Sequence, residues 1–230
     1  MTNFIPARLF TYIALFSLVA LSACNKKDEV VVPDASYIRF INASPTLGTY
    51  NVFLDDRMVN TAALPFGGTV SYAAYIFGNH TVKYTTASSA QSVLTKQIVL
   101  TGNQIHSAYL IDKDAKLDLL LVVDDASVTS TTKAFVKFIN LSPDAPAFNL
   151  DIKAGANLIK DRTYKTGSAF IQVDPKSYDF DIKDSATGLV KTTLTGVEMA
   201  AGRYYTIISR GMVNPGTTDQ PLSAQSIVNN

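Results

Sequence analysis

A hexapeptide occurs twice in this chain. Phe40-Ile41-Asn42-Ala43-Ser44-Pro45 returns 98 residues later as Phe138-Ile139-Asn140-Leu141-Ser142-Pro143. Each copy follows an aromatic, an aliphatic and a basic residue, Tyr37-Ile38-Arg39 in the first and Phe135-Val136-Lys137 in the second. The same offset carries Asn51 onto Asn149, Phe66 onto Tyr164, Tyr72 onto Phe170 and Val82 onto Phe180. Two inserted residues then bring Gly102 onto Gly202. A unit of about 100 residues repeated in tandem predicts two modules of one fold, each large enough for its own core. The expected boundaries are residues 36–125 and 133–230, joined by the hydroxyl-rich linker 126–132.

Within each unit the hydrophobic pattern has period two. Tyr178, Phe180 and Ile182 alternate with Asp179, Asp181 and Lys183, the signature of a strand with one dry face and one wet face. In the first unit His80, Val82 and Tyr84 take the dry positions. Valine, isoleucine, threonine and aromatic runs are separated by Gly, Pro, Asn or Asp clusters, and no segment carries a helical period. Strands are predicted at 37–42, 50–55, 69–76, 80–87, 92–100, 104–111 and 117–124, and the second unit repeats them. Seven short strands per unit predict an all-β chain of two tandem antiparallel β-sandwiches of immunoglobulin-like architecture. Without a cysteine pair or a tryptophan, neither module is a true antibody-type domain.

The first 23 residues read as a cleaved targeting segment, with Arg8, an apolar run from Leu9 to Leu21, and the small residues Ser22 and Ala23 before Cys24. That run is too short for a permanent bilayer span, which needs about 20 apolar residues. Leu21-Ser22-Ala23-Cys24 resembles the bacterial lipoprotein box, which implies cleavage before Cys24 and acylation of its thiol and new amino group. Cys24 is the only cysteine, so an internal disulfide is excluded. Next, Asn25-Lys26-Lys27-Asp28-Glu29 resembles the surface-export signal of lipoproteins in the Bacteroidota, the competing reading being a solvated charged tether. The expected location is the outer membrane, surface-exposed, with a periplasmic-facing position as the alternative. Removing the signal removes Arg8 and leaves 19 basic against 19 acidic residues. A neutral exported chain argues against nucleic acid, which requires concentrated positive charge.

Phe135 to Pro146, Phe-Val-Lys-Phe-Ile-Asn-Leu-Ser-Pro-Asp-Ala-Pro, is similar to the opening of the bacterial family catalogued as domain of unknown function 4397. Gly202-Arg203-Tyr204-Tyr205-Thr206 is similar to the same family's Gly-x-x-Tyr-Thr strand entry. The resemblance implies a secreted or surface-anchored β-sandwich and brings no activity with it. The first copy departs from the pattern, with Thr46-Leu47-Gly48 where the second has Asp144-Ala145-Pro146.

Comparing the copies tests each chemically suggestive residue. His80 and His106 align with Tyr178 and Thr206, so a catalytic or metal-binding imidazole would leave the second copy inert, and both histidines are expected to be structural. Asp112, Asp114 and Asp118 have the spacing of a calcium loop without its glycine or closing glutamate, and are expected to form a solvated hairpin turn. Asp144, Asp174 and Asp184 are the carboxylates from which a cryptic carbohydrate-active site would have to be built. Asp184-Ser185-Ala186 resembles a short O-glycosylation pattern of exported Bacteroidota proteins. Phe40, Asn42, Ser44 and Pro45, with Phe138, Asn140, Ser142 and Pro143, are expected to be structural, the asparagines closing Asx turns at a strand end. Tyr72 and Phe170 fall on a polar strand face in both copies and are the candidate contact surface for a glycan or protein. Covering of these rings by a loop or by the other module is the competing account. The chain is expected to be non-enzymatic, with no cofactor or metal. It would serve as a lipid-anchored binding, adhesion or spacer module, or alternatively as an accessory subunit of a surface nutrient-uptake complex.

Overall fold

The computed structural model describes residues 35–229, so Cys24 and the segment before it lie outside the described residues. The first half of the described chain forms β1 (Ala35–Asn42), β2 (Tyr50–Leu54), β3 (Arg57–Met58), β4 (Thr69–Ile76), β5 (Gly78–Thr86), β6 (Ser92–Leu100), β7 (Ile105–Ile111) and β8 (Asp118–Val123). The second half forms β9 (Ala134–Asn140), β10 (Phe148–Ile152), β11 (Asn157–Arg162), β12 (Ile171–Val173), β13 (Ser177–Asp184), β14 (Val190–Glu198), β15 (Tyr204–Arg210) and β16 (Ser223–Asn229). Among the described residues the one helical element is a single 3-10 turn, Asp114–Lys116.

The strands make four sheets of four. Their orders are β3-β2-β5-β6 and β4-β1-β7-β8 in the first half, and β11-β10-β13-β14 and β12-β9-β15-β16 in the second. The protein is an all-β sandwich structure, with one departure from the antiparallel expectation. β1 pairs with β7, and β9 with β15, in parallel. Parallel strands are characteristically covered on both faces, and here the reason is visible in three apolar cores. Ile38, Phe40, Val52, Leu54, Val82, Tyr84 and Leu110 fill the space between the first two sheets. Val136, Phe138, Phe148, Leu150, Phe180, Ile182 and Ile207 do the same in the second half. A third core, of Ile41, Ala43, Tyr109, Ile111, Ile139, Leu141, Ile208 and Ile227, lies between β4-β1-β7-β8 and β12-β9-β15-β16. Alternate residues of β1, β7, β9 and β15 thus point into different cores, and the four sheets stack as layers. This explains why every residue of β9 is buried, a pattern that half-wet strands cannot give.

The repeated hexapeptide ends β1 and β9, and its polar residues close them. Asn42 Oδ1 accepts from the Ser44 amide at 3.0 Å, and Asn140 Oδ1 from the Ser142 amide at 3.1 Å, as Asx turns require. The amide groups of these asparagines donate onward to the carbonyls of Leu64 and Arg162. Ser44 and Ser142 donate to the carbonyls of Asp112 and Gly211 at 2.6 and 2.7 Å, tying the end of each first strand to the residue after β7 or β15. Asp112 and Gly211 both have positive φ, 61° and 87°, so they are structural counterparts. All four Asn and Ser side chains are fully buried with these bonds made.

That correspondence corrects the alignment. The halves differ by one inserted residue before β7 and β15, not two: His106 pairs with Ile38 while Tyr205 pairs with Val136, so the counterpart of His106 is Tyr205 and not Thr206. The extra residue is a bulge in β14, where the register slips between Tyr178 and Phe180 and Gly196 adopts φ +67°. Left-handed Gly202 then matches Asn103 (φ 59°) and not Gly102. A second correction concerns Asp181, which sits on the expected wet face of β13 and is buried. Its carboxylate accepts from the Thr193 hydroxyl at 2.7 Å, and Lys183 pairs with Asp151 at 2.8 Å beside it, so a polar ladder covers its own backbone.

Candidate functional site

The seam between the two inner sheets holds the polar chemistry of this chain. Arg39 on β1 and Lys137 on β9 are equivalent, and both are buried, with 5% and 3% of their surface exposed. Each faces the third core's rim and stacks on the equivalent aromatic: the Arg39 guanidinium lies 4.5 Å from the Tyr72 ring centre, and the Lys137 ammonium 4.8 Å from that of Phe170. The two aromatics are therefore half-buried at the seam, where each lines a cleft. The duplicated basic residue and the duplicated aromatic had both been visible in the sequence.

Between the cations sits Asp124, just beyond the end of β8 and buried. One carboxylate oxygen accepts from Lys137 Nζ in a close ion pair. The other accepts from the Tyr72 hydroxyl at 2.7 Å and the Ser107 hydroxyl at 2.5 Å. Arg39 Nε donates to Ser107 Oγ at 2.8 Å, and its Nη1 crosses the seam to the carbonyl of Val228 at 2.7 Å. Burial and the Asp124 carboxylate push the Tyr72 phenol well above its ordinary value, so it stays a donor. Burial pulls the Lys137 ammonium below its ordinary value, opposed by Asp124 and reinforced by the charge of Arg39. Sequence reading missed Asp124, whose only cue is the echo of Val122-Val123-Asp124-Asp125 in Ile227-Val228-Asn229-Asn230.

The seam is fastened at both ends. The Gln220 amide donates to the Pro45 carbonyl at 3.0 Å, Lys113 pairs with Asp219 at 2.6 Å, and the Tyr164 hydroxyl reaches Asp112 at 3.1 Å. On the other side Tyr204 stacks on Phe135, its ring centre 4.5 Å away, and donates its hydroxyl to the carbonyls of Ala126 and Val128 in the linker.

Two clefts open along this seam. The larger, about 610 Å³, is lined by Tyr37, Arg39, Thr69, Ser71, Tyr72, Gln225 and Val228 among others. The smaller, about 160 Å³, contains the equivalent Lys137 and Phe170 with Val123 and Val128. They are related as the two halves are related: each takes a cation and an aromatic from one half and the edge of the last strand from the other.

The other suggestive residues are used locally. His106 is buried, with Nδ1 3.1 Å from the Ser36 hydroxyl, and burial holds its imidazole below the usual value. His80 is held between Asp55, at 2.6 Å, and the Ile76 carbonyl, at 2.8 Å. Asp118 pairs with Lys96 at 2.6 Å, and Asp174 pairs with Lys133 at 2.6 Å. Asp144 caps the amides of Val213 and Asn214, both at 2.8 Å, and Asp184 those of Ala186 and Thr187, both at 3.0 Å. Ser185 donates to Asp161. Among the described residues no three His, Cys, Asp or Glu side chains form a group able to hold a metal ion. No helix among them is long and apolar enough to cross a membrane.

Among solved structures the chain is similar to the Bacillus anthracis TIE protein, at 12% identity and a TM-score of 0.26, covering 78% of this chain and 34% of that one. This chain thus spans about a third of the length of the TIE protein. A second likeness is to family 41 carbohydrate-binding modules from streptococcal virulence factors, described for alpha-glucan recognition, at 10% identity and a TM-score of 0.24, covering 70% of this chain and 88% of that one. No curated protein matches the sequence. Residues 36–151, which run from β1 through β10 and make up just over half of the chain, match the family described as Domain of unknown function (DUF4397), and the chain belongs to that family.

Proposed function

We propose that this protein is a non-enzymatic, lipid-anchored binding module of the bacterial cell envelope, built from two tandem copies of one sandwich and holding its ligand in the clefts where the copies meet. The observation that carries the reading is the pair of equivalent seam clefts, each combining an aromatic ring, a cation and an exposed strand edge. Concave sites of about 300–1,000 Å³ with a few convergent polar groups are where small ligands bind, and the larger cleft falls in that range. Duplication suits binding, because two modest sites in one chain gain avidity.

The anchor is assigned to Cys24, with outer-membrane, surface-exposed placement. From Asn25 to Ala35 the chain reaches at most about 36 Å. Two experiments test the reading. Metabolic labelling with a fatty-acid analogue should mark the wild type and spare Cys24→Ser; labelling of both would remove the anchor. The full-length protein in detergent should retain at least one ligand from an array of neutral and acidic glycans and matrix proteins. Clean negatives across the array would leave a spacer.

A further inference from the structure

The seam is nearly symmetric in shape and unsymmetric in charge. Two buried cations, Arg39 and Lys137, face it from equivalent positions. Lys137 has a carboxylate partner in Asp124, which the Ser107 hydroxyl steadies. At the position equivalent to Asp124 the second half carries Asn229, buried and accepting from the Thr206 hydroxyl at 2.9 Å. Arg39 therefore receives a hydroxyl and a carbonyl, and its third nitrogen, Nη2, has no partner. Among the described residues no carboxylate ion-pairs with it. Two buried cations thus share one carboxylate, a costly arrangement, and the cation without a direct ion pair lines the larger of the two clefts. Gln225, whose buried Oε1 also lacks a partner, lines the same cleft. The remaining wall offers the Thr69, Ser71 and Ser226 hydroxyls and the exposed Tyr37 ring, a set suited to a sugar's hydroxyls and its C–H face.

We propose that this cleft binds an acidic sugar, a pyranose bearing a carboxylate, whose charge does for Arg39 what Asp124 does for Lys137. The proposal rests on the reading of the seam clefts as ligand sites and names the ligand class of one of them. Planar guanidinium groups recognise carboxylates through parallel hydrogen bonds, which a free Nη2 beside an engaged Nη1 is placed to extend.

The test is calorimetric titration of the full-length protein in detergent with glucuronate-, galacturonate- and N-acetylneuraminate-containing oligosaccharides, each also as its methyl ester. At least one acid should bind, and its ester should bind roughly tenfold to a hundredfold more weakly. Asn229→Asp supplies the missing internal carboxylate and should abolish binding while the melting temperature holds or rises. Should that variant fail to fold, Tyr37→Ala, at an exposed ring outside all three cores, should weaken binding instead. Esters that bind as tightly as the acids would overturn the carboxylate assignment and leave the sugar cleft standing. Absence of binding by every acid, or binding only of a peptide with a free C-terminal carboxylate, would overturn the acidic-sugar proposal while a neutral glycan or protein ligand remained open. Binding indifferent to both Asn229→Asp and Tyr37→Ala would place the ligand elsewhere and overturn both readings.

Discussion

Replacing Asp124 with asparagine makes the first half match the second at this position and removes the one carboxylate between two buried cations. The side chains of Lys137 and Asp124 are 3% and 2% exposed, so water cannot take over the lost partner. Breaking a buried pair by deleting one member costs about 3–5 kcal/mol, most of it the penalty of the charge left behind. For a cooperative unit of 150 to 250 residues each kcal/mol moves the melting temperature by about 2–4 °C, so Asp124→Asn should lower it by roughly 6–20 °C. Asparagine keeps the volume and can still accept from Ser107, so cavity formation does not confuse the result. The companion variant Asp124→Asn/Lys137→Met, which removes both charges, should recover most of the loss, because a volume-matched apolar replacement of a whole pair is close to neutral. Differential scanning calorimetry at neutral pH measures both. A shift below about 2 °C for Asp124→Asn, or no recovery in the double variant, would refute the account of the seam as a charge-locked joint.

Three further outcomes follow from the same geometry. Asn42→Ala removes two hydrogen bonds and Asn140→Ala four, so at about 1 kcal/mol per bond the second should cost about 4 kcal/mol and the first about 2, read by chemical denaturation. Equal costs would mean that packing, and not these bonds, sets the value of the motif. Because burial holds folded His106 below its ordinary value of 6.5, its contribution is complete above pH 6.5 and is lost as the pH falls through the folded value. Melting temperature should therefore decline on mild acidification, and His106→Gln should flatten that decline; an unchanged slope would assign it to other groups. Tyr72→Phe keeps the ring under Arg39, as Phe170 does naturally under Lys137, but removes a donor to Asp124, and should cost about 1.5–3 kcal/mol in denaturant titrations.

The strands were legible because a period of two, punctuated by turn residues, is a local property, and nearly every predicted strand of the first half lies within two residues of the observed one. The two-residue β3 carries too short a pattern to be seen. The Asx turns at Asn42 and Asn140 were legible for the same local reason. What escaped was long-range. A basic residue in mid-strand reads as solvent-facing, and nothing near Arg39 or Lys137 in sequence shows that a second sheet covers that face. A single bulge at Gly196 shifts every later correspondence by one, and with a side-chain period of two such a slip exchanges faces. Matching Gly202 to Gly102, and not to left-handed Asn103, counts two inserted residues where the bulge adds one, and so sets Thr206 against His106 when Tyr205 occupies its place. Asp124 was hidden because its partners lie 13, 17 and 52 residues away and on both sides of the seam.

The central claim is that the third core and the Asp124 lock make one cooperative body of two sandwiches, with the ligand clefts at their joint. Calorimetric unfolding of the wild-type full-length protein tests it directly. A shared core predicts one transition whose calorimetric and van't Hoff enthalpies agree. Two separable transitions, each with the enthalpy of about 100 residues, would show that the sandwiches unfold independently and would contradict a site built from both.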